Sequence, residues 1–131
     1  MSRRARFVLP FAVLLGSTTL GGCFLIAAGA GAAGAIAYTN RGASSNIAGS
    51  VDATFNRAST AFSALSITET GRSTDNSGAT RRLTGKQGDT EVNVEMKRES
   101  SDVTKVEVVA ARNTVDFDRD LAKRVLDRMM Q

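Results

Sequence analysis

Thr90-Glu91-Val92-Asn93-Val94-Glu95-Met96-Lys97-Arg98 alternates apolar and polar side chains without interruption. Successive side chains of an extended chain point to opposite faces. The segment therefore reads as a strand with Val92, Val94 and Met96 on one face and Glu91, Asn93, Glu95 and Lys97 on the other. Glu99–Asp102 has turn composition, and Val103–Ala111 then alternates again, with Thr104, Val106 and Val108 inward and Lys105 and Glu107 outward. Two such strands joined by a short turn predict an antiparallel hairpin that is wet on one face. Upstream, Gln87-Gly88-Asp89 is a turn and Ala79–Gly85 a further strand. Asp75-Asn76-Ser77-Gly78 separates that strand from Ser66–Arg72, a Thr-rich segment around Ile67.

Helical spacing flanks these strands on both sides. Phe55, Ala58, Phe62 and Leu65 recur at intervals of three, four and three, which predicts a helix from about Thr54 to Leu65, capped by Thr54 or Asp52. At the other end Phe117, Leu121, Val125 and Met129 stand four apart, with Ala122 and Leu126 beside them, so Asp116 to Met130 reads as an amphipathic helix. Its acidic residues (Asp116, Asp118, Asp120) lie early and its basic ones (Lys123, Arg124, Arg128) late, which complements the helix dipole. The expected class is α+β: an antiparallel sheet of four strands, or five with a leading strand at Asn46–Asp52, and two helices packed on one face. With only Phe55, Phe62 and Phe117 as aromatics, a folded part of this size has a small core and modest stability.

Before this domain the composition changes. Asn40 to Ser50 is small and polar and reads as a linker. Phe24 to Tyr38 carries no charged and no strongly polar side chain. As a helix it would extend roughly 22 Å, short of a hydrocarbon core of about 30 Å. Its small residues match the spacing of helix–helix contacts in lipid (Gly31 with Ala35, Ala27 with Gly31). Residues 1–22 have the three parts of an export signal: the arginines Arg3, Arg4 and Arg6, an apolar stretch from Phe7 to about Leu15 interrupted by Pro10, and the small residues of Gly16 to Gly22. The expected division is a signal peptide over 1–22, an anchored tether and linker over 23–45, and a small α+β domain over 46–131.

Charge and residue types remove most kinds of chemistry. The net charge of +4 owes much to the three early arginines, and without them 14 Lys and Arg face 13 Asp and Glu. No aromatics interleave with basic residues, so a nucleic-acid platform is not expected. The chain has no His, which excludes Ser-His-Asp triads and His-based metal sites. Cys23 is the sole cysteine, which excludes an intramolecular disulfide and a cysteine-only zinc site. Asp116-Phe117-Asp118-Arg119-Asp120 has the opening of a calcium loop, but Leu121 and Asp127 occupy the places of the required Gly and Glu. Gly85-Lys86 fails as a phosphate loop, with Gln87 and Thr80 at two fixed positions. Arg81 and Arg82 are adjacent on a strand and must face opposite ways, leaving Arg81, on the side of Leu83, as an anion-site candidate. No catalytic residue, cofactor or metal is expected.

Leu20-Gly21-Gly22-Cys23 resembles the lipobox of bacterial lipoproteins, in which small residues precede a cysteine that is diacylated on sulfur. The resemblance implies cleavage between Gly22 and Cys23 and lipidation of Cys23. It also implies an outer-membrane location facing the periplasm, since Phe24 replaces the Asp that commonly retains such proteins at the inner membrane. The whole chain looks like a family of small uncharacterised bacterial envelope lipoproteins. Leu20–Cys23, Ala27–Tyr38, Val51-Asp52-Ala53-Thr54-Phe55 and Val103-Thr104-Lys105-Val106 carry that likeness. The expectation is a non-enzymatic envelope lipoprotein that binds membrane lipid through Cys23 and presents its domain to another envelope protein or to further copies of itself. The alternative is a membrane-active protein whose glycine-rich apolar segment self-associates in the bilayer.

Overall fold

The alternating stretch Thr90–Arg98 lies in the middle of a six-stranded antiparallel sheet, in a computed structural model that describes residues 34–131. In chain order the elements are β1 (Ala37–Tyr38), β2 (Gly42–Ala48), α1 (Val51–Ala64), β3 (Thr68–Asp75), β4 (Thr80–Gln87), β5 (Thr90–Ser100), β6 (Val103–Ala111) and α2 (Arg119–Met129). A single 3-10 turn, Asn76–Gly78, joins β3 to β4. The strands lie side by side in the order β1-β2-β6-β5-β4-β3. Thus α1 carries the chain from one side of the sheet to its far edge, and β3 to β6 return by turns until β6 pairs with β2.

The α+β class and the helices on one face agree with the sequence, but the number of strands does not. Four or five were expected and six are present, because the stretch read as a linker and the end of the apolar run both join the sheet. β2 pairs with β6 from Gly42↔Val109 to Ala48↔Val103, burying Ala43, Ser45 and Ile47. The leading strand thus begins before residue 46 and ends before Asp52. Gly49, at φ +128°, turns the chain out of the strand, and the Ser50 hydroxyl accepts a hydrogen bond from the Ala53 amide to start α1. Neither Thr54 nor Asp52 is the cap; Thr54 is fully buried inside the helix. The apolar run ends in a strand rather than a helix, since Ala37 and Tyr38 pair with Ser44 and Ala43.

The last helix is also shorter than its apolar spacing suggested. Phe117 makes an antiparallel bridge with Ala111, and the Asp118 amide donates to the Ala110 carbonyl at 2.8 Å, so residues 116–118 extend beside the end of β6. The helix starts only after Asp118, whose carboxylate accepts from the Leu121 amide at 2.8 Å.

One face of the sheet is covered. α1 packs over β3, β4 and β5, α2 over β2 and β6, and the helices touch each other. Between them and the sheet lie Phe55, Phe62, Leu83, Val94, Met96, Val106, Val108, Leu121, Leu126 and Met129, each almost wholly removed from water. The opposite face carries the polar residues of the alternation and is open, as one side of an antiparallel sheet commonly is. No described helix is long and apolar enough to cross a membrane.

Candidate functional site

The residues at which the sequence placed lipidation and cleavage, Cys23 and Gly22, lie outside the described residues, together with the stretch read as an export signal and most of the apolar run. What the structure does place is the point where that run joins the domain. The Ser45 hydroxyl donates to the Gly34 carbonyl at 3.0 Å, and its oxygen lies 3.8 Å from the Met130 sulfur. Gly34 packs so closely that a Cβ on it would stand 2.2 Å from the Asn46 carbonyl oxygen. From there the chain runs along the outer side of β2, with Ile36 packed against the core and Tyr38 exposed over 52% of its surface. The Arg119 guanidinium stands 5.9 Å from the Tyr38 ring centroid, and Arg41, in the β1–β2 turn, stands 5.3 Å from that of Phe117. Lys123 follows Arg119 by one helical turn, its ammonium 2.7 Å from Asp127, which raises its pKa above the ordinary lysine value.

The two adjacent arginines of β4 do face opposite ways. Arg81 lies under α1, stacked 3.7 Å above the centroid of the Phe55 ring and donating to Asp52 at 2.8 Å. Its charge is met by a carboxylate, so it clamps the start of α1 to the sheet instead of offering an anion site. Arg72, on the edge strand β3, reaches the same Phe55 ring at 5.4 Å and pairs with Glu69, which also accepts from Ser59 of α1. That hydroxyl, and next the Arg72 guanidinium, hold the Glu69 carboxyl below its ordinary pKa.

Arg82 emerges on the open face, where its Nε donates to Glu95 at 2.7 Å and its Nη1 to Asp75 at 2.9 Å. The bond from Arg82 is the main cause of a lowered Glu95 pKa. A group whose pKa is depressed on folding stabilises the fold above its unfolded pKa, and that contribution is lost as pH falls through the folded value. An Arg82→Gln protein is therefore expected to be less stable than the parent at neutral pH. The gap should narrow once pH drops below the ordinary carboxylate range, and urea unfolding at a series of pH values measures it. A gap that stays constant down to pH 3 would contradict the assignment.

The remaining motifs are structural. Gly85 sits in the middle of β4, where a Cβ would meet Phe62 and Ile67 at 2.7 Å each and the Thr68 carbonyl oxygen at 2.8 Å. Its role is to let α1 and β3 approach, with no phosphate loop around it. Arg112, Asp116, Phe117, Asp118, Arg119 and Asp120 line an open depression of about 370 Å³, but two of its three carboxylates are engaged. Asp116 pairs with Arg112 at 3.2 Å and Asp118 caps α2. Among the described residues no three His, Cys, Asp or Glu side chains are grouped to hold a metal ion. The docked segment 34–38 and its flanking cations were not foreseen. Their sequence signal was slight: a lone Tyr ending an apolar run and a basic residue three positions on.

No curated protein matches the chain. A family profile does match, over residues 6–126, and spans most of the N-terminal stretch, the apolar run and nearly all of the sheet and helices. The chain therefore belongs to DUF3568, a family of proteins of unknown function.

Proposed function

We propose that the protein is a non-enzymatic lipoprotein of the cell envelope, held to the membrane by acylated Cys23 and presenting its α+β domain to another envelope component. The observation that carries this reading is Leu20-Gly21-Gly22-Cys23, placed directly after a basic, then apolar, then small-residue leader and containing the chain's sole cysteine. The location that goes with it is the outer membrane, facing the periplasm. An open sheet face of the kind formed by β4, β5 and β6, with Arg82, Glu95 and Glu107 on it, suits a binding role.

Substitution of the cysteine tests the anchor. Cys23→Ser should leave an uncut, unlipidated precursor, larger than the mature parent by the leader and devoid of palmitate label. Mature-sized, membrane-bound protein from that variant would refute lipidation. The alternative, self-association through the apolar run, loses support from the extended conformation at the end of that run. With Ala37 and Tyr38 in β1 and Gly34 bound to Ser45, at most Phe24–Ala33 remains to form a helix. That is about 15 Å at 1.5 Å per residue, half a hydrocarbon core.

A further inference from the structure

We infer that the β1 edge of the domain, Gly34–Tyr38 with Arg41, Arg119 and Lys123 beside it, is the face that lies against the phospholipid headgroups. The inference rests on the reading of Cys23 as the lipid anchor and adds an orientation to it.

Three observations converge on this face. First, no charged side chain stands between Cys23 and Tyr38, so the domain has no hydrophilic spacer to hold it away from the bilayer. Even fully extended, the eleven residue steps from Cys23 to Gly34 reach at most about 40 Å. Second, the last five residues of that uncharged run are built into the domain. Gly34 is fixed to Ser45, Ile36 packs against the core, and Ala37–Tyr38 form the terminal strand of the sheet. An apolar edge strand open to water is otherwise a liability for a soluble domain. The opposite edge shows the usual remedies, since β3 is polar, charged and bulged between Glu69 and Gly71.

Third, the side chains around the β1 edge are those of a membrane interface. Tyr38, on this edge, is exposed over 52% of its surface, and Tyr is enriched at the headgroup level of bilayers. Arg119 stands over Tyr38, and Lys123 lies on the same flank of α2. Among the described residues neither Arg41 nor Arg119 meets a carboxylate within ion-pair distance, whereas Lys123 is shared with Asp127. Free guanidinium groups beside an exposed aromatic complement anionic headgroups.

The chain contains no Trp, so a single indole reports its own surroundings. The mature full chain is purified as Tyr38→Trp and, separately, as Ser73→Trp on the opposite edge. Each is reconstituted into phosphatidylcholine vesicles with about one third phosphatidylglycerol, with and without brominated acyl chains. Intact mass establishes acylation of Cys23 beforehand. The Y38W indole should emit to the blue and be quenched by brominated lipid, and the S73W indole should do neither. Adding Arg41→Gln or Arg119→Gln to Y38W should lower the docked-to-free ratio about fivefold for each cation removed.

An acylated protein whose two indoles are equally unquenched overturns the orientation while leaving the anchor in place. So does a Y38W indole that shifts to the blue without quenching and cross-links to a second copy, which would make β1 a pairing edge. A chain without the acyl mass overturns the anchor, and the docking falls with it.

Discussion

A Phe62→Ala protein should lose about 3–5 kcal/mol of stability, the usual range for emptying a fully buried aromatic site. Phe62 has no exposed surface and lies between α1 and the sheet against Gly85 and Ile67. A domain of about a hundred residues holds roughly 5–15 kcal/mol in total, so this single truncation removes a large share and should leave a measurable unfolded fraction at 37 °C. Urea unfolding followed by circular dichroism measures it. Gly85 sharpens the test, because one of the three obstacles to a Cβ there is the Phe62 ring itself. Gly85→Ala alone overpacks the site and should cost about 1–3 kcal/mol. In the Phe62→Ala background that cost should shrink, since residues in contact couple. Strict additivity of the two substitutions would show that the helix and β4 are not packed as described.

Gly42→Val should be the most damaging of the exchanges at glycines in the sheet. A Cβ at Gly42 would stand 1.9 Å from the Val108 carbonyl oxygen and 3.1 Å from the Val109 Cα. These are backbone atoms of the neighbouring strand and cannot rotate aside, so β2 must part from β6, and β1 leaves with it. A loss at the upper end of the overpacking range, about 3 kcal/mol, is expected. Thermal unfolding reads that loss, and hydrogen exchange should show the amides of β1 and β2 opening first. Gly71→Val is the control. It sits on the edge strand with nothing nearer than the Thr84 Cβ at 3.9 Å and should change stability by no more than about 0.5 kcal/mol. Equal damage from both would point to loss of glycine as such and away from the β2–β6 contact.

The sequence was most informative where side chains alternate strongly. Thr90–Arg98 and Val103–Ala111 became β5 and β6 with the expected inward residues, because Val and Met on one face and charges on the other leave one register. Both helices were legible from their apolar stripes, though their starts were set by capping at Ser50 and Asp118 and not by the stripe. β2 is legible only in part, as the leading strand expected at Asn46–Asp52, because Gly-Ala-Ser-Ser-Asn-Ile-Ala has little β-propensity, and only pairing with β6 and cover from α2 make it a strand from Gly42. The same tertiary pairing drew Ala37–Tyr38 out of an apparent helix. Of the candidate site, the opposite facing of Arg81 and Arg82 followed from strand geometry alone. That Arg81 would stack on Phe55 while bound to Asp52 could not be read, since the three come together only when α1 crosses the sheet.

That crossing also fixes when the chain can fold. Synthesis releases β2 early, yet its hydrogen-bonding partner on the interior side is the last strand: Gly42 waits for Val109 and Ala48 for Val103. β1 with β2, and β3 to β6 one hairpin at a time, can zip locally. Closing the sheet joins segments far apart in sequence, a slow step governed by loop-closure entropy. Until the C-terminal third has emerged, β2 lacks its interior partner and the helix that covers it. A chain built this way cannot complete its sheet, whatever order its hairpins form in, until its last strand is in place.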